Sequence, residues 1–259
     1  MIGRHGNPAH RAQAQAAFAC QAGPMKPPVR RHSRLRGVAA VVLVAVRVGC
    51  SDDGGGESDA TPEEVLAAAK TTLDDTSGVA LSLTAEELPA EVDGVLEATG
   101  IATHAPAFDG DLTLVVNGLD VDVPVISVDG TVYAQLPFTD SFAEVVPADY
   151  GAPDPAQLMD PDTGLSSWLT AATGIEEGER VRDGDLVLSS YSGTLAGEVV
   201  DASIPSARAA ADFPVTFRID EEGRLRSVEV SGPFYGPQGM VDYTVSVDDY
   251  GTDQDITKP

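Results

Sequence analysis

The chain has 259 residues, 42% hydrophobic and 5% aromatic, with 16 Lys and Arg against 41 Asp and Glu and a formal net charge of −25. That length suits one sizeable domain behind any leader segment. An acidic excess of this order repels phosphates, which argues against a nucleic-acid partner and against peripheral docking on anionic lipid head groups.

Charge divides sharply along the chain. Residues 1–49 hold eight of the 16 basic residues and no acid; the remainder holds the other eight against all 41 acids, a net of −33. Solubility and salt tolerance account for that excess without any partner. Met25 opens Lys-Pro-Pro-Val-Arg-Arg, a normal signal-peptide start, so residues 1–24, Cys20 included, read as an extension from a misplaced start. Residues 25–49 read as a signal peptide of lipoprotein type. Lys26, Arg30, Arg31, Arg34 and Arg36 form the positive region, and the apolar run Gly37–Val46 is too short to span a bilayer. Cys50 follows Val48 and Gly49 and looks like the lipidated first residue of a bacterial lipoprotein, although Arg47 stands where a Leu is usual. The alternative is an unmodified Cys buried at the start of a globular domain. Residues 50–60, rich in Gly, Ser and Asp, read as a flexible tether. Cys50 is the only Cys beyond the signal region, so a mature domain has no internal disulfide and needs an ordinary core.

After the tether, Thr61-Pro62-Glu63-Glu64 is a helix start with a capping box, and Val65, Leu66, Ala69 and Leu73 follow at helical spacing. Beyond Gly78 the period becomes two: Val79, Leu81 and Leu83 predict a half-buried strand. A strand over 96–103, a turn over 104–110 and a strand over 111–116 come next. Asn117-Gly118 predicts a tight hairpin into a strand over 119–128, with Val121, Val123 and Val125 on one face and Asp120 and Asp122 on the other. Pro124 there argues for an edge position or a bulge. Asp129-Gly130 turns into a strand over 131–136.

Residues 137–178 are rich in Pro and Asp and read as irregular, with a helical turn over 156–159. Asp160 is placed to cap a short helix in which Leu165, Trp168, Leu169 and Ala172 share a face. The sheet resumes at Arg180, turns at Asp183-Gly184 and continues over 186–195. A short helix over 197–203 and strands over 215–219, 225–231 and 240–247 complete an antiparallel sheet of eight or nine strands. A sheet with one apolar face must have that face covered, and the helices on offer are few and short. Either a concave apolar space or a fully packed core satisfies this pattern.

Enzyme chemistry finds little purchase. His104 is the only His beyond the signal region and reads as a solvated turn residue. There is no Gly-x-Ser-x-Gly elbow, the spacing around Asp160 and Asp162 lacks a calcium-loop pattern, and one His with one tethered Cys cannot build a zinc cluster. The expectation is a protein with no catalytic residues, metal or cofactor.

One family resemblance covers about residues 61–250. The stretch Asp160-Pro-Asp-Thr-Gly-Leu-Ser-Ser-Trp-Leu169, the hairpin from Asp120 through Val128-Asp-Gly-Thr-Val-Tyr-Ala-Gln-Leu136, and Pro214-Val-Thr-Phe-Arg-Ile219 resemble the actinobacterial LppX/LprA/LprF/LprG lipoproteins. Asp160 and Trp168 depart from the family segment, and residues 88–100 and 232–239 fit it poorly. The resemblance implies an α+β fold: a strongly curved antiparallel sheet, a half-barrel, with helices on the concave face enclosing an apolar cavity. Residues 251–259 would be a C-terminal tail. It further implies a monomer that holds acyl lipids, such as triacylated glycolipids, phosphatidylinositol mannosides or triacylglycerols. Such a protein is exported to the outer face of the cytoplasmic membrane, anchored there by lipid, and in some cases works beside a major-facilitator transporter. On that analogy Leu112 is a cavity-lining position with Leu114, Val123, Val125 and Tyr133 as neighbours. Leu81 and Leu83 join it from the first strand, and Leu165, Trp168 and Leu169 from the short helix near the mouth. The runner-up reading is a non-enzymatic envelope scaffold or protein-binding lipoprotein with a filled core, in which Trp168 is a core plug.

Overall fold

A computed structural model describes residues 60–259, with Glu91, Gly151 and Gln238 excepted. The expected extension over 1–24, signal peptide over 25–49, anchor Cys50 and tether up to residue 59 lie outside the described residues.

Helix α1 (Pro62–Asp74) begins as its sequence dictates. Thr61 Oγ1 accepts from the Glu64 N–H at 3.3 Å while the Thr61 N–H donates to Glu64 Oε2 at 2.9 Å, and Pro62 occupies the first turn, where no donor is needed. Leu66, Ala69 and Leu73 form its buried stripe. His104 does lie in a turn but is half-buried rather than freely solvated: its Nε2 donates at 2.8 Å to the Leu73 carbonyl, one of the acceptors the end of α1 leaves open.

Among the described residues eleven strands form one antiparallel sheet, a curved half-barrel with three α-helices. They are β1 (Gly78–Ala85), β2 (Gly94–Thr103), β3 (Ala107–Val116), β4 (Leu119–Val128), β5 (Thr131–Ala134), β6 (Ala143–Val145), β7 (Thr173–Asp183), β8 (Leu186–Ala196), β9 (Asp212–Asp220), β10 (Leu225–Pro233) and β11 (Met240–Asp248). Their order is β6-β5-β4-β3-β2-β1-β11-β10-β9-β8-β7, so β1 and β11 join two meanders at the middle. Asn117 and Gly118 have φ of 53° and 74°, and Asp129 and Gly130 have 53° and 72°, the left-handed pairs that two-residue hairpins require.

The count exceeds the eight or nine strands expected; β6 is an added strand, and β3 and β7 begin earlier than expected. β3 begins at Ala107, because Phe108 turns inward where the sequence suggested a turn. The short edge strand β6 has no apolar alternation to betray it. β7 begins at Thr173 rather than Arg180; nearly every residue on it is exposed, so a sheet edge carrying Glu176, Glu177, Glu179, Arg180 and Arg182 reads as loop. Pro124 is not on an edge strand. It sits just past the last β4–β5 pair, Val125 with Ala134, accepting at 3.0 Å from the Gln135 N–H and donating nothing.

Helix α2 (Leu165–Ala171) packs against α1 and reaches β8, and α3 (Gly197–Ser203) lies on β8 and β9. Asp160 does not cap α2, whose N-cap is Gly164. Its carboxylate instead accepts from the Asp162 and Thr163 N–H groups at 2.9 and 2.8 Å, fixing the turn before the helix. The 3₁₀ turn Pro155–Met159 covers β2, β3 and β4. Sheet curvature is built in locally. The pairing slips between Val95 and Glu97 and between Leu225 and Ser227, the sites of bulges. Gly100 faces Gly110 across β2 and β3, and a Cβ on either would lie 2.6 or 2.7 Å from the Phe108 ring, so only this pair lets the ring lie flat on the sheet. The other sheet face is polar, with Arg218 paired to Glu229 and Arg226 to Asp248 across neighbouring strands.

The last residues continue along the sheet. Ser77 Oγ donates to Thr252 O at 3.0 Å, Gln254 Nε2 donates to Asp109 at 3.0 Å, and Lys258 Nζ sits 5.0 Å from the Tyr133 ring centre. Among the described residues no helix is long and apolar enough to cross a membrane.

Candidate functional site: an apolar cavity under a proline roof

Between the concave face and the segment before α2 lie two adjoining apolar cavities. The first offers about 70 Å³ that the centre of a water molecule can reach, and the second about 50 Å³. Strands of the first meander supply the floor. Leu81 and Leu83 of β1, Val95 of β2, Phe108 and Leu112 of β3 and Val245 of β11 line the first cavity; Leu114, Val123, Val125, Val132 and Ala134 line the second. Most of these apolar residues alternate along their strands, as the two-residue period demands.

The partition between the two spaces is specific: Leu112, Ala152, Pro153 and Pro155 border both. Ala152–Pro155 is therefore a roof laid across the floor. Its composition suits the position, because Pro153 and Pro155 carry no backbone N–H that would need a partner over an apolar space. One polar tie holds it down. The buried Ser127 hydroxyl donates at 2.6 Å to Asp154 Oδ1, which also accepts from the Ala156 N–H at 3.0 Å and so caps the 3₁₀ turn.

Leu165, Trp168 and Ile204 close the side of the first cavity. Trp168 is buried with its Nε1–H satisfied: it donates at 2.9 Å to Ser203 Oγ, which donates in turn to the Thr163 carbonyl. Thus α2, α3 and the turn before α2 are tied at one indole, as a buried Trp requires.

At the other end of the first cavity stand Tyr235 and Tyr243. Their hydroxyls are 2.8 Å apart, the Tyr243 hydroxyl donates to Val95 O at 2.7 Å, and the Val95 N–H donates to the Tyr235 hydroxyl at 3.1 Å. The ring of bonds is closed, so both phenols are satisfied beside the β2 bulge. Burial first, then the neighbouring Tyr235, pushes the Tyr243 hydroxyl far above its ordinary value of 10. Among the described residues that line the site there is no nucleophile–base pair and the surface is overwhelmingly apolar; what it can do is shelter apolar groups from water.

Of the ten sequence-derived cavity residues, the structure brings eight to these two spaces: Leu81, Leu83, Leu112, Leu165 and Trp168 around the first, and Leu112, Leu114, Val123 and Val125 around the second. Two stand elsewhere. Val125, a lining residue, pairs with Ala134, so Val132 and Ala134 face inward and Tyr133 is turned to the opposite face beneath Lys258. Leu169 is buried in the core but borders neither cavity. Sequence reasoning missed Phe108, the proline roof and the tyrosine pair. Tyr243 and Val245 were visible as one apolar face of β11, and an Ala-Pro-Asp-Pro run without donors was the available sign of the roof.

The model of one protein family, described as LppX_LprAFG lipoprotein, matches residues 61–257. The lipoarabinomannan carrier protein LprG of Mycobacterium tuberculosis is 30% identical over 242 residues, covering 89% of this chain and 97% of that protein. The Mycobacterium leprae protein of the same name is 27% identical over 247 residues, with the same coverage. Among solved structures, LprF from Mycobacterium bovis superposes with a TM-score of 0.63 at 16% identity, over 76% of this chain and 96% of that one. Lipoprotein LppX from Mycobacterium tuberculosis gives 0.57 at 14%, over 77% and 100%. At those identities the two structures speak for the fold.

Proposed function

We propose a function from one premise: the chain belongs to the LppX_LprAFG lipoprotein family. It is a lipid-binding carrier lipoprotein that holds acyl chains between the concave sheet and the proline roof and moves them within the cell envelope. Its cargo is a multi-acylated lipid or glycolipid; the LprG relatives are named lipoarabinomannan carriers, which supports a glycolipid. It performs no reaction on that cargo. The protein is exported, the lipidated Cys50 holds it at the outer face of the cytoplasmic membrane, and residues 50–60 give the domain over 61–250 its reach. It works as a monomer and hands cargo to or from a membrane transporter of the major-facilitator type.

The observation that carries this reading is the pair of apolar spaces meeting at Leu112 under a roof tied down by a single side-chain hydrogen bond. A water molecule needs about 10–15 Å³ of such volume, so the first space holds about five water-sized groups. A lipid with two or more acyl chains therefore requires the roof to lift and the two spaces to merge. Burial of each methylene contributes about 0.8 kcal/mol, and a sixteen-carbon chain about 12 kcal/mol before ordering costs, ample to drive that opening.

Native mass spectrometry with lipid extraction of the purified protein tests the reading. Co-purifying acyl lipid, or stoichiometric uptake of a fluorescent fatty acid, is expected. A protein that carries none and takes up none refutes it.

A further inference from the structure

The turn that follows β5 is odd in two ways at once. The Thr139 N–H donates to Leu136 O at 3.1 Å, closing a tight turn with Pro137 second and Phe138 third. Phe138 has φ of +66°, a left-handed conformation that glycine adopts freely and a bulky side chain does not, and its ring is fully exposed at 107%. The turn is also stapled. Gln135 Nε2 donates to Thr139 O at 3.0 Å, and Thr139 Oγ1 donates to Leu136 O at 2.6 Å. A strained backbone that displays an unsheltered phenyl on a rigid tip opposes stability twice, and nothing in the fold uses that ring.

Place in the fold supplies the use. Leu136, two residues before the phenyl, lines the second cavity, so the tip stands at the mouth of the apolar space. The strand register puts two more exposed apolar residues at the same end of the sheet. β5 runs toward the end of the sheet at which β4 starts, its last residue Ala134 pairing with Val125, six residues short of Leu119, which is 68% exposed; through β3, β2 and β1 that end of the sheet continues to the start of β11, where Met240 is 57% exposed. Asp120, Asp140 and Asp242 stand within two residues of the three and are exposed. Carboxylates at such positions reject an anionic surface and tolerate an uncharged one.

On the carrier reading above, we infer that Phe138, with Leu119 and Met240 exposed at the same end of the sheet, is the point at which the cavity mouth touches the acyl layer of a lipid surface whose head groups are net neutral. Phe138 enters the interface, and cargo tails cross from bilayer to cavity beside Leu136 without meeting bulk water.

The test uses the full chain bearing Cys50→Ser, so that no acyl anchor contributes, and neutral phosphatidylcholine vesicles. Transfer of a fluorescent phosphatidylcholine between vesicles is expected to slow about tenfold in Phe138→Ser, the order expected for losing one buried phenyl. Uptake of a fluorescent fatty acid dispersed in water should be unchanged. Phe138→Trp should keep transfer and show a blue-shifted emission difference on addition of the vesicles, with the buried Trp168 as constant background. Unchanged transfer in Phe138→Ser, as a protein-docking tip would give, overturns the inference, and so does the absence of a Trp shift. An equal loss of uptake and transfer also overturns it, because the ring would then act on the cavity itself. Failure of the unsubstituted chain to take up the dispersed fatty acid rejects the carrier reading, and this inference with it.

Discussion

Ser127 on the floor and Asp154 on the roof are joined by a 2.6 Å hydrogen bond, the only side-chain bond among the described residues that runs from the segment 152–159 to the sheet. All other contact across the cavities is apolar and non-directional. The roof is thus held in register at one point and free to slide or lift elsewhere. Ser127→Ala removes the donor while Asp154 keeps the Ala156 N–H, so stability should fall by only about 1 kcal/mol. Uptake of a fluorescent fatty acid should become faster, because opening no longer breaks this bond. Stopped-flow uptake alongside urea denaturation checks both; an uptake rate equal to that of the unsubstituted protein would mean the roof is not the gate.

Leu112 tests the partition itself. Its side chain borders both spaces, so Leu112→Trp pushes a large ring into volume that is already empty on two sides. Overpacking a filled core costs about 1–3 kcal/mol, and the two adjoining voids should hold the cost here to the lower end of that range. Lipid uptake should be abolished. Thermal denaturation and uptake read the two effects separately, and a variant that unfolds outright would show a core with no slack at this position.

How far these features could be read from residues alone follows from where their causes lie. α1 announces itself because Thr61, Pro62 and Glu64 act on their own backbone, and the β3–β4 hairpin because Asn117-Gly118 satisfies a local conformational demand. The floor residues of β1, β3 and β4 follow from parity, which is also local. Tyr133 shows the limit. Its neighbourhood is right, but the register Val125↔Ala134 decides which way it points, and register is a property of two strands. β7 has no apolar face to report, since it is an edge whose charged residues face solvent. The roof is the least legible. Ala152–Pro155 has no period at all, and its place over Leu112 comes from tertiary packing and one hydrogen bond formed across 27 residues.

Trp168 links three elements through one nitrogen. Trp168→Phe keeps most of the apolar body but deletes the Nε1–H that Ser203 Oγ accepts, and it leaves a void beside Leu165. A loss of about 1–3 kcal/mol is expected, from the hydrogen bond and the unfilled volume together. Ser203→Ala should cost a similar amount, because it strands both the indole N–H and the Thr163 carbonyl. The double variant should then cost less than the sum of the two, as residues in one network do. Urea denaturation of the three variants checks this; strict additivity would show that Trp168 and Ser203 do not act as a unit.

The tyrosine pair at the far end of the cavity makes a prediction in alkali. Burial raises the hydroxyls of both Tyr243 and Tyr250 well above the ordinary value of 10, and each donates to a backbone carbonyl, Val95 O and Leu225 O. A group whose folded value is raised contributes stability in full below its unfolded value and loses it as pH rises beyond that. Stability should therefore be level through neutral pH and fall above about pH 10, by about 1.4 kcal/mol per pH unit for each phenol kept protonated in the fold. Tyr243→Phe should be less stable than the unsubstituted protein at pH 8, since Val95 O loses its donor and the Tyr235 hydroxyl its partner. Above pH 10 its stability should fall less steeply, because one of the buried phenols kept protonated in the fold is gone. Urea midpoints taken from pH 8 to 11 measure both the offset and the slope. If the two proteins decline in parallel, the Tyr243 hydroxyl is reached by water in the fold, and the closed hydrogen-bond ring at the end of the cavity does not hold in solution.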